Sequence, residues 1–284
     1  MAFYTIQILN GLSLAMLLFL IASGLSVIFG LMRIINLAHG SFYLLGGYFG
    51  LSVLNQTGNF WLAILVAAAI VAAIGMVLQR VLLERVHGNE LGQVLMSFGV
   101  LLVISDLALW FWGGLPQTLD RPDFLDGALR FAGLFFPKYR VALIVCGFAV
   151  ALAIWLIIER TRIGAVIRAG VDDAEMVRAI GFDIKMVFLL VFGAGAALAG
   201  AAGVLGGAML GIYPGADFEV VLQAFAVVVI GGLGSLRGAF VGSLLIGFSD
   251  TIGKALLPEF AMFTIFVPMV AMLVIRPEGL FGRA

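Results

Sequence analysis

The sequence predicts an all-α fold, a polytopic transmembrane helical bundle, and three observations carry that prediction. Of 284 residues, 63% are hydrophobic and only 11% are charged, and the mean hydropathy is +1.18. Soluble chains carry about 25% charged residues, so most of this surface is not built for water. The apolar residues also fall in runs near the roughly 20 residues that a helix needs to cross a bilayer.

The runs divide into about nine spans, at 5–30, 38–54, 60–80, 91–112, 140–158, 187–206, 218–231, 236–253 and 260–276. The seventh is short and ends in Gly, as a broken or re-entrant helix would. Met1 to Asn10 carry no Lys or Arg, and no small-residue cleavage site follows, so the first run is expected to stay as a helix rather than be removed. Aqueous segments are short, and residues 1–284 read as one membrane domain.

Lys and Arg favour the cytoplasmic side. Nine spans with the N-terminus outside place Arg33, Arg80, Arg85, Arg160, Arg162, Arg168, Arg178, Lys185, Arg237, Arg276 and Arg283 inside. Arg121, Arg130, Lys138, Arg140 and Lys254 then fall outside, and eleven against five supports N-out/C-in. Net charge is zero, so overall balance points to no nucleic-acid partner. The lone Cys146 lies in an apolar run, where packing is its expected role.

Residues 159–186 stand out as a cytoplasmic segment, since 159–185 holds ten charges, five of each sign. Asp172 is placed to cap a helix, with Glu175 three residues on as in a capping box. Met176, Val177 and Ile180 then share an apolar face, away from Asp173, Glu175 and Arg178, and Gly181 supplies the stop. So short a helix is marginal alone. Its apolar face either inserts into a groove on a soluble protein or folds back on its own membrane domain.

Polar groups inside spans face a bundle interior or a cavity, because lipid cannot satisfy them. Asn36 and His39 lie beside the membrane, and Gly40, Gly46 and Gly47 permit close backbone approach. His39 reads either as a helix-end hydrogen bond to backbone or as a pathway-lining group; with no second ligand near it, a metal role is not supported. His87 sits in a charged turn and needs no function. Asp106 is the one acid deep in an apolar run, with a structural hydrogen bond to a neighbouring helix as the leading reading and contact with a solute ammonium as the alternative. Gly231, Gly232, Gly234 and Ser235 break a helix, either lining a cavity or making a tight turn. Asp250 reads as wetted. Tyr213, Pro214, Asp217 and Glu219 read as an outer loop, more as a solvated turn than as a gate. The run 193–211 is a small-residue surface for helix packing, or for a movable contact with a partner subunit. A faint echo links 30–47 (GLMRIINLAHGSFYLLGG) with 232–247 (GLGSLRGAFVGSLLIG), as a parallel repeat would.

Catalytic signals are absent. No nucleophile–base set appears, and Gly253-Lys254-Ala255 lacks the upstream Gly and the Ser/Thr of a phosphate-binding loop. A free-standing secondary transporter would need paired intramembrane charges for ion coupling, and these are also missing.

Four blocks, taken in order, resemble the permeases of the high-affinity branched-chain amino acid ABC importers, the LivH type. They are 11–48 (GLSLAMLLFLIASGLSVIFGLMRIINLAHGSFYLLGGY), 160–183 (RTRIGAVIRAGVDDAEMVRAIGFD), 225–247 (FAVVVIGGLGSLRGAFVGSLLIG) and 275–282 (IRPEGLFG). Asn-Leu-Ala-His-Gly at 36–40 and Arg-Thr-Arg at 160–162 are the most telling. The resemblance implies a pathway made by two permease subunits, the second a different related chain. It implies two ATPase subunits that bind ATP and Mg, and an extracytoplasmic solute-binding protein. No cofactor is expected in this chain, and the bacterial inner membrane is the expected site. The resemblance assigns ATPase coupling to the segment bearing Arg160, Arg162, Asp172, Asp173, Glu175, Val177, Arg178, Ile180 and Gly181. Asn36, His39, Gly40, Asp106, Gly231, Gly232 and Ser235 are the pathway candidates. Branched-chain amino acids are the expected solute, with urea, short amides or other amino acids as alternatives.

Overall fold

In a bilayer every backbone group must be satisfied within the protein, which leaves helices as the economical solution for apolar runs. The chain takes it. A computed structural model describes residues 2–86, 88–131 and 133–282; His87 and Arg283 lie outside the described residues. Among the described residues, eleven α-helices run in order: α1 (Ala2–Met32), α2 (His39–Thr57), α3 (Phe60–Val81), α4 (Glu90–Trp112), α5 (Lys138–Arg160), α6 (Arg162–Asp172), α7 (Ala174–Ala179), α8 (Ile184–Leu210), α9 (Ala216–Gly231), α10 (Leu236–Leu256) and α11 (Phe266–Ile275). Between α4 and α5 lies a hairpin of β1 (Ala128–Phe131) and β2 (Leu134–Pro137), antiparallel, with Leu129 opposite Phe136.

Among the described residues, six helices are long and apolar enough to cross a membrane: α1, α3 with the 3-10 turn that follows it, α4, α5, α8 and α10. The expectation of about nine spans is refined in three places. The run 260–276 is not one helix. A 3-10 turn at Pro258–Phe263 precedes α11, whose ten residues reach only about 15 Å. Pro268 falls in the first turn of α11, the one place in a helix where a missing N–H is harmless. The other two are α2, long enough but mostly buried and more polar, and α9, whose 16 residues reach roughly 24 Å.

The core forms where small residues let backbones meet. α8 lies centrally, against α1, α2 and α3, while α1 also packs on α10 and α9. Gly24 meets the backbone of Gly195, and Gly46 meets that of Gly200. The small-residue surface of 193–211 is therefore spent on this chain's own helices. The two echoing segments touch where Gly30 meets Gly234, yet they continue differently. Arg33, at φ +52°, turns the chain back alongside α1 before α2 starts, whereas α10 starts directly after a Gly-rich turn.

That detour sets the depth of α2. His39 Nε2 donates to Ile21 O at 3.0 Å, and Ile21 lies about eleven residues, or roughly 16 Å, above the last residue of α1. α2 thus begins well inside the bundle rather than at its edge. α9 begins beside it, since Asp217 O lies against Gly40. Over the far end, residues 117–119 are stitched to the end of α8 by Gln117–Ile212 backbone bonds and by Leu119 N to Gly207 O. Arg121 Nε donates to Ala208 O at 2.9 Å.

Candidate functional site

Two regions gather the sequence-predicted residues. The first is α6–α7, outside the crossing helices. Thr161 ends α5 and caps α6, its hydroxyl accepting from Gly164 N at 3.1 Å. A side chain at Gly164 would strike the carbonyls of Ile157 and Ile158, so Gly is needed for so tight a corner. The Arg-Thr-Arg signature thus has a structural middle. Its flanks differ: Arg160 lies 5.8 Å over the Trp155 ring. Arg162 occupies the first position of α6, where the helix dipole disfavours a cation by about 0.3–1 kcal/mol. Helix stability therefore does not account for Arg162.

The cap of α7 is Asp173, not Asp172, which is the last residue of α6. The Asp173 carboxylate accepts from Glu175 N and Met176 N, each at 2.9 Å. The capping-box register is lost, because Glu175 is now the second residue of the helix. Gly181, at φ +95°, closes α7 as expected: Phe182 N bonds Val177 O and Gly181 N bonds Arg178 O, the paired pattern of a left-handed helix stop. The expected apolar face splits. Val177 is buried (2% exposed), and α7 packs on α8, whereas Met176 (59%) and Ile180 (65%) face outward. Arg178 and Glu175 are exposed. Ile163 and Phe182 extend the outward apolar surface.

The second region is a polar seam between α2, α4 and α9. Asn36 is fully buried, and its Oδ1 accepts from Ala38 N at 3.1 Å, holding the turn into α2. His39 is also fully buried, and its bond to the Ile21 carbonyl puts the ring proton on Nε2. Neither lies at the membrane edge, and His39 bonds backbone through Nε2 while its Nδ1 has no partner among the described residues. Gly40 serves close packing against α9. Asp106 contradicts its leading reading: it is exposed on the outer face of α4. Its neighbour Ser105 points inward, 3.5 Å from Asp217 Oδ1.

Gly231 and Gly232 pack against Gly238 and the C-terminal strap, where Leu280 N and Phe281 N bond Ile230 O and Gly231 O. Ser235 caps α10, accepting from Gly238 N at 3.0 Å. Ser235 and Gly234 line a cavity of about 980 Å³ with Arg33, Arg168, Arg237 and Glu159; Gly231 and Gly232 do not. Asp250 is not wetted. It is 4% exposed, paired with Lys254 at 2.7 Å and bonded by Thr264 at 2.9 Å.

The sequence reading missed one group outright. Asp217 was expected in a solvated turn, but it is fully buried. What could have found it is its place at the start of the short apolar run 218–231, too short to span and so able to begin inside the bundle. Tyr213 stays in the loop and donates to Glu219 Oε2 at 2.7 Å. Burial first, then the Glu219 carboxylate, pushes its phenol up to about 12, so this donor keeps its proton throughout the physiological range.

A bundle of crossing helices with two helices starting inside it, polar groups along one seam and a short amphipathic pair outside, defines a polytopic membrane protein of the transporter class. Residues 7–274 match the family described as "Branched-chain amino acid transport system / permease component", and the chain belongs to that family. It is 29% identical to BraD, a high-affinity branched-chain amino acid transport system permease protein of Pseudomonas aeruginosa, over 99% of this chain and 96% of that one. It is 30% identical to the corresponding LivH of Escherichia coli K12, over 98% and 95%. It is also 29% identical to LivM of the same organism, over 94% of this chain and 68% of that one. Among solved structures, PsaBC from Streptococcus pneumoniae in complex with Fab is 15% identical, with a TM-score of 0.49 over 94% of this chain and 89% of that one.

Proposed function

We propose that this chain forms half of the pathway of an ATP-driven importer for branched-chain amino acids in a bacterial inner membrane, N-out and C-in. The supporting observation is the α6–α7 pair, which presents Ile163, Met176, Ile180 and Phe182 outward from a segment rich in both charge signs. An ATPase subunit, binding ATP and Mg, grips this knob. An extracytoplasmic protein delivers solute at the opposite end, over the hairpin and the Tyr213 loop. Two related permeases, LivH and LivM, occur in one organism, which favours a second, different permease as partner.

Asp106 favours the same pairing. A carboxylate facing acyl chains costs about 2.5–3.5 kcal/mol. The exposed face of α4 is therefore covered by the second permease or lines the water path between the two.

The test uses Ile180→Asp, not Val177→Asp, since Val177 holds α7 to its own chain. ATPase captured with the purified permease pair should fall at least about tenfold, the loss for a contact worth more than about 1.4 kcal/mol. Membrane insertion should persist. Full capture by Ile180→Asp would sink the coupling role.

A further inference from the structure

The seam beneath α4 contains more polar capacity than the protein itself uses. Asp217 is fully buried, yet its Oδ2 has no partner among the described residues; the same holds for the fully buried Tyr48 hydroxyl. Buried polar atoms are overwhelmingly paired in folded proteins, so each exception calls for an explanation. These exceptions converge. The Ser105 hydroxyl lies 3.5 Å from Asp217 Oδ1. The Ser41 hydroxyl is buried, and its neighbour Gly40 lies against Asp217 O. Ser41 and Tyr48 are seven residues apart on α2, hence on one face, and both hydroxyls are buried without a partner among the described residues. Three helices thus bring one carboxylate and three hydroxyls to a single seam.

The seam is deep. Ser105 lies about seven residues, or roughly 10 Å, short of the far end of α4, and α2 and α9 both begin here. Transporters place solute groups where helices start inside the bundle, and since those starts are partly positive ends, it is the Asp217 carboxylate, with Oδ2 unpartnered among the described residues, that offers negative charge here. The wall over this seam is thin. α4 packs chiefly on α2 and on the 3-10 turn before it, and an apolar crevice of about 900 Å³ separates it from α3. Among the described residues Asp217 makes no ion pair, and a carboxylate with hydroxyls beside it is a donor set for a compact monovalent cationic group.

We propose that Asp217, with Ser41, Tyr48 and Ser105, holds the ammonium group of the solute in transit, with α4 as the movable wall of the site. This rests on the amino acid importer reading above. An inorganic alkali cation has the same chemistry, and the experiment separates the two sources.

The complete complex is reconstituted in vesicles with its binding protein and ATP, and uptake of radiolabelled leucine is measured. Asp217→Asn should lower uptake about ten- to a hundredfold, as expected for a lost charge-assisted hydrogen bond. Tyr48→Phe and Ser41→Ala remove one hydroxyl each and should lower it severalfold; they decide the matter if Asp217→Asn does not assemble. Wild-type uptake in Asp217→Asn, or in both hydroxyl variants where Asp217→Asn does not assemble, overturns the site while leaving the importer reading intact. No leucine uptake by the wild-type complex overturns both. With sodium and potassium replaced by choline, wild-type uptake should be unchanged. Uptake that needs an alkali cation, with the need lost in Asp217→Asn, assigns the site to the ion and overturns the ammonium assignment.

Discussion

Neighbouring residues in one helix can live in opposite worlds, and α4 shows it. Ser105 turns inward to Asp217 while Asp106 faces out. Glycines divide in the same manner. A methyl at Gly46 would fall into the Gly200 backbone, while one at Gly99 meets nothing within 4 Å. Gly46→Ala should therefore lower the apparent unfolding temperature in detergent, at an overpacking cost of about 1–3 kcal/mol. Gly99→Ala should leave it unchanged or raise it, since Ala is a better helix former by about 1 kcal/mol. Equal shifts for the two would mean that the α2–α8 backbone contact does not limit stability.

Caps and stops decide the short elements. Asp173 alone satisfies two N–H groups at the start of a six-residue helix. Asp173→Ala should cost α7 about 1 kcal/mol. Amide exchange at 175–180, read by mass spectrometry, should speed up about fivefold while α6 and α8 keep their protection. Unchanged exchange would show that Val177 packing, not the cap, holds α7. Legibility follows the same physics. α3, α4 and α10 were readable because unbroken apolar runs end at polar caps, Asn59, Asn89 and Ser235. The cap of α7 was misplaced by one residue because two adjacent aspartates offer the same chemistry. Residues 33–38 read as the turn between the first two spans, but that they run back alongside α1 could not be seen, since it depends on His39 reaching Ile21. The burial of Asp217 depends on where α2 begins, and that depends on a fold-wide packing that local pattern does not contain.

At the scale of the whole molecule, α4 is held to the bundle chiefly through α2. Its ties to the bundle include Ser97 accepting from Leu37 N at 3.1 Å, Ser105 at 3.5 Å from Asp217, and Trp112 Nε1 to Ser52 Oγ at 2.9 Å. Polar bonds between membrane helices average about 0.6 kcal/mol each, so releasing three costs roughly 2 kcal/mol. Ring packing of Trp112 on Tyr48 and Phe49 and of Phe98 on Phe218 adds to that hold, so release calls for a partner that binds the released state better. Tying α4 down should then stop transport without disturbing the distant α6–α7 knob. Leu37→Cys with Ser97→Cys, in a Cys146→Ser background, places one thiol on each side of the contact between α4 and the turn before α2. Oxidation, or a short bifunctional thiol reagent where no disulfide forms, should abolish leucine uptake, with disulfide closure restored to thiols by reductant and uptake returning with it. ATPase capture should stay constant throughout. Uptake that survives verified cross-linking would mean that α4 is a fixed wall, and that the path opens along the α1–α10 side of the bundle instead.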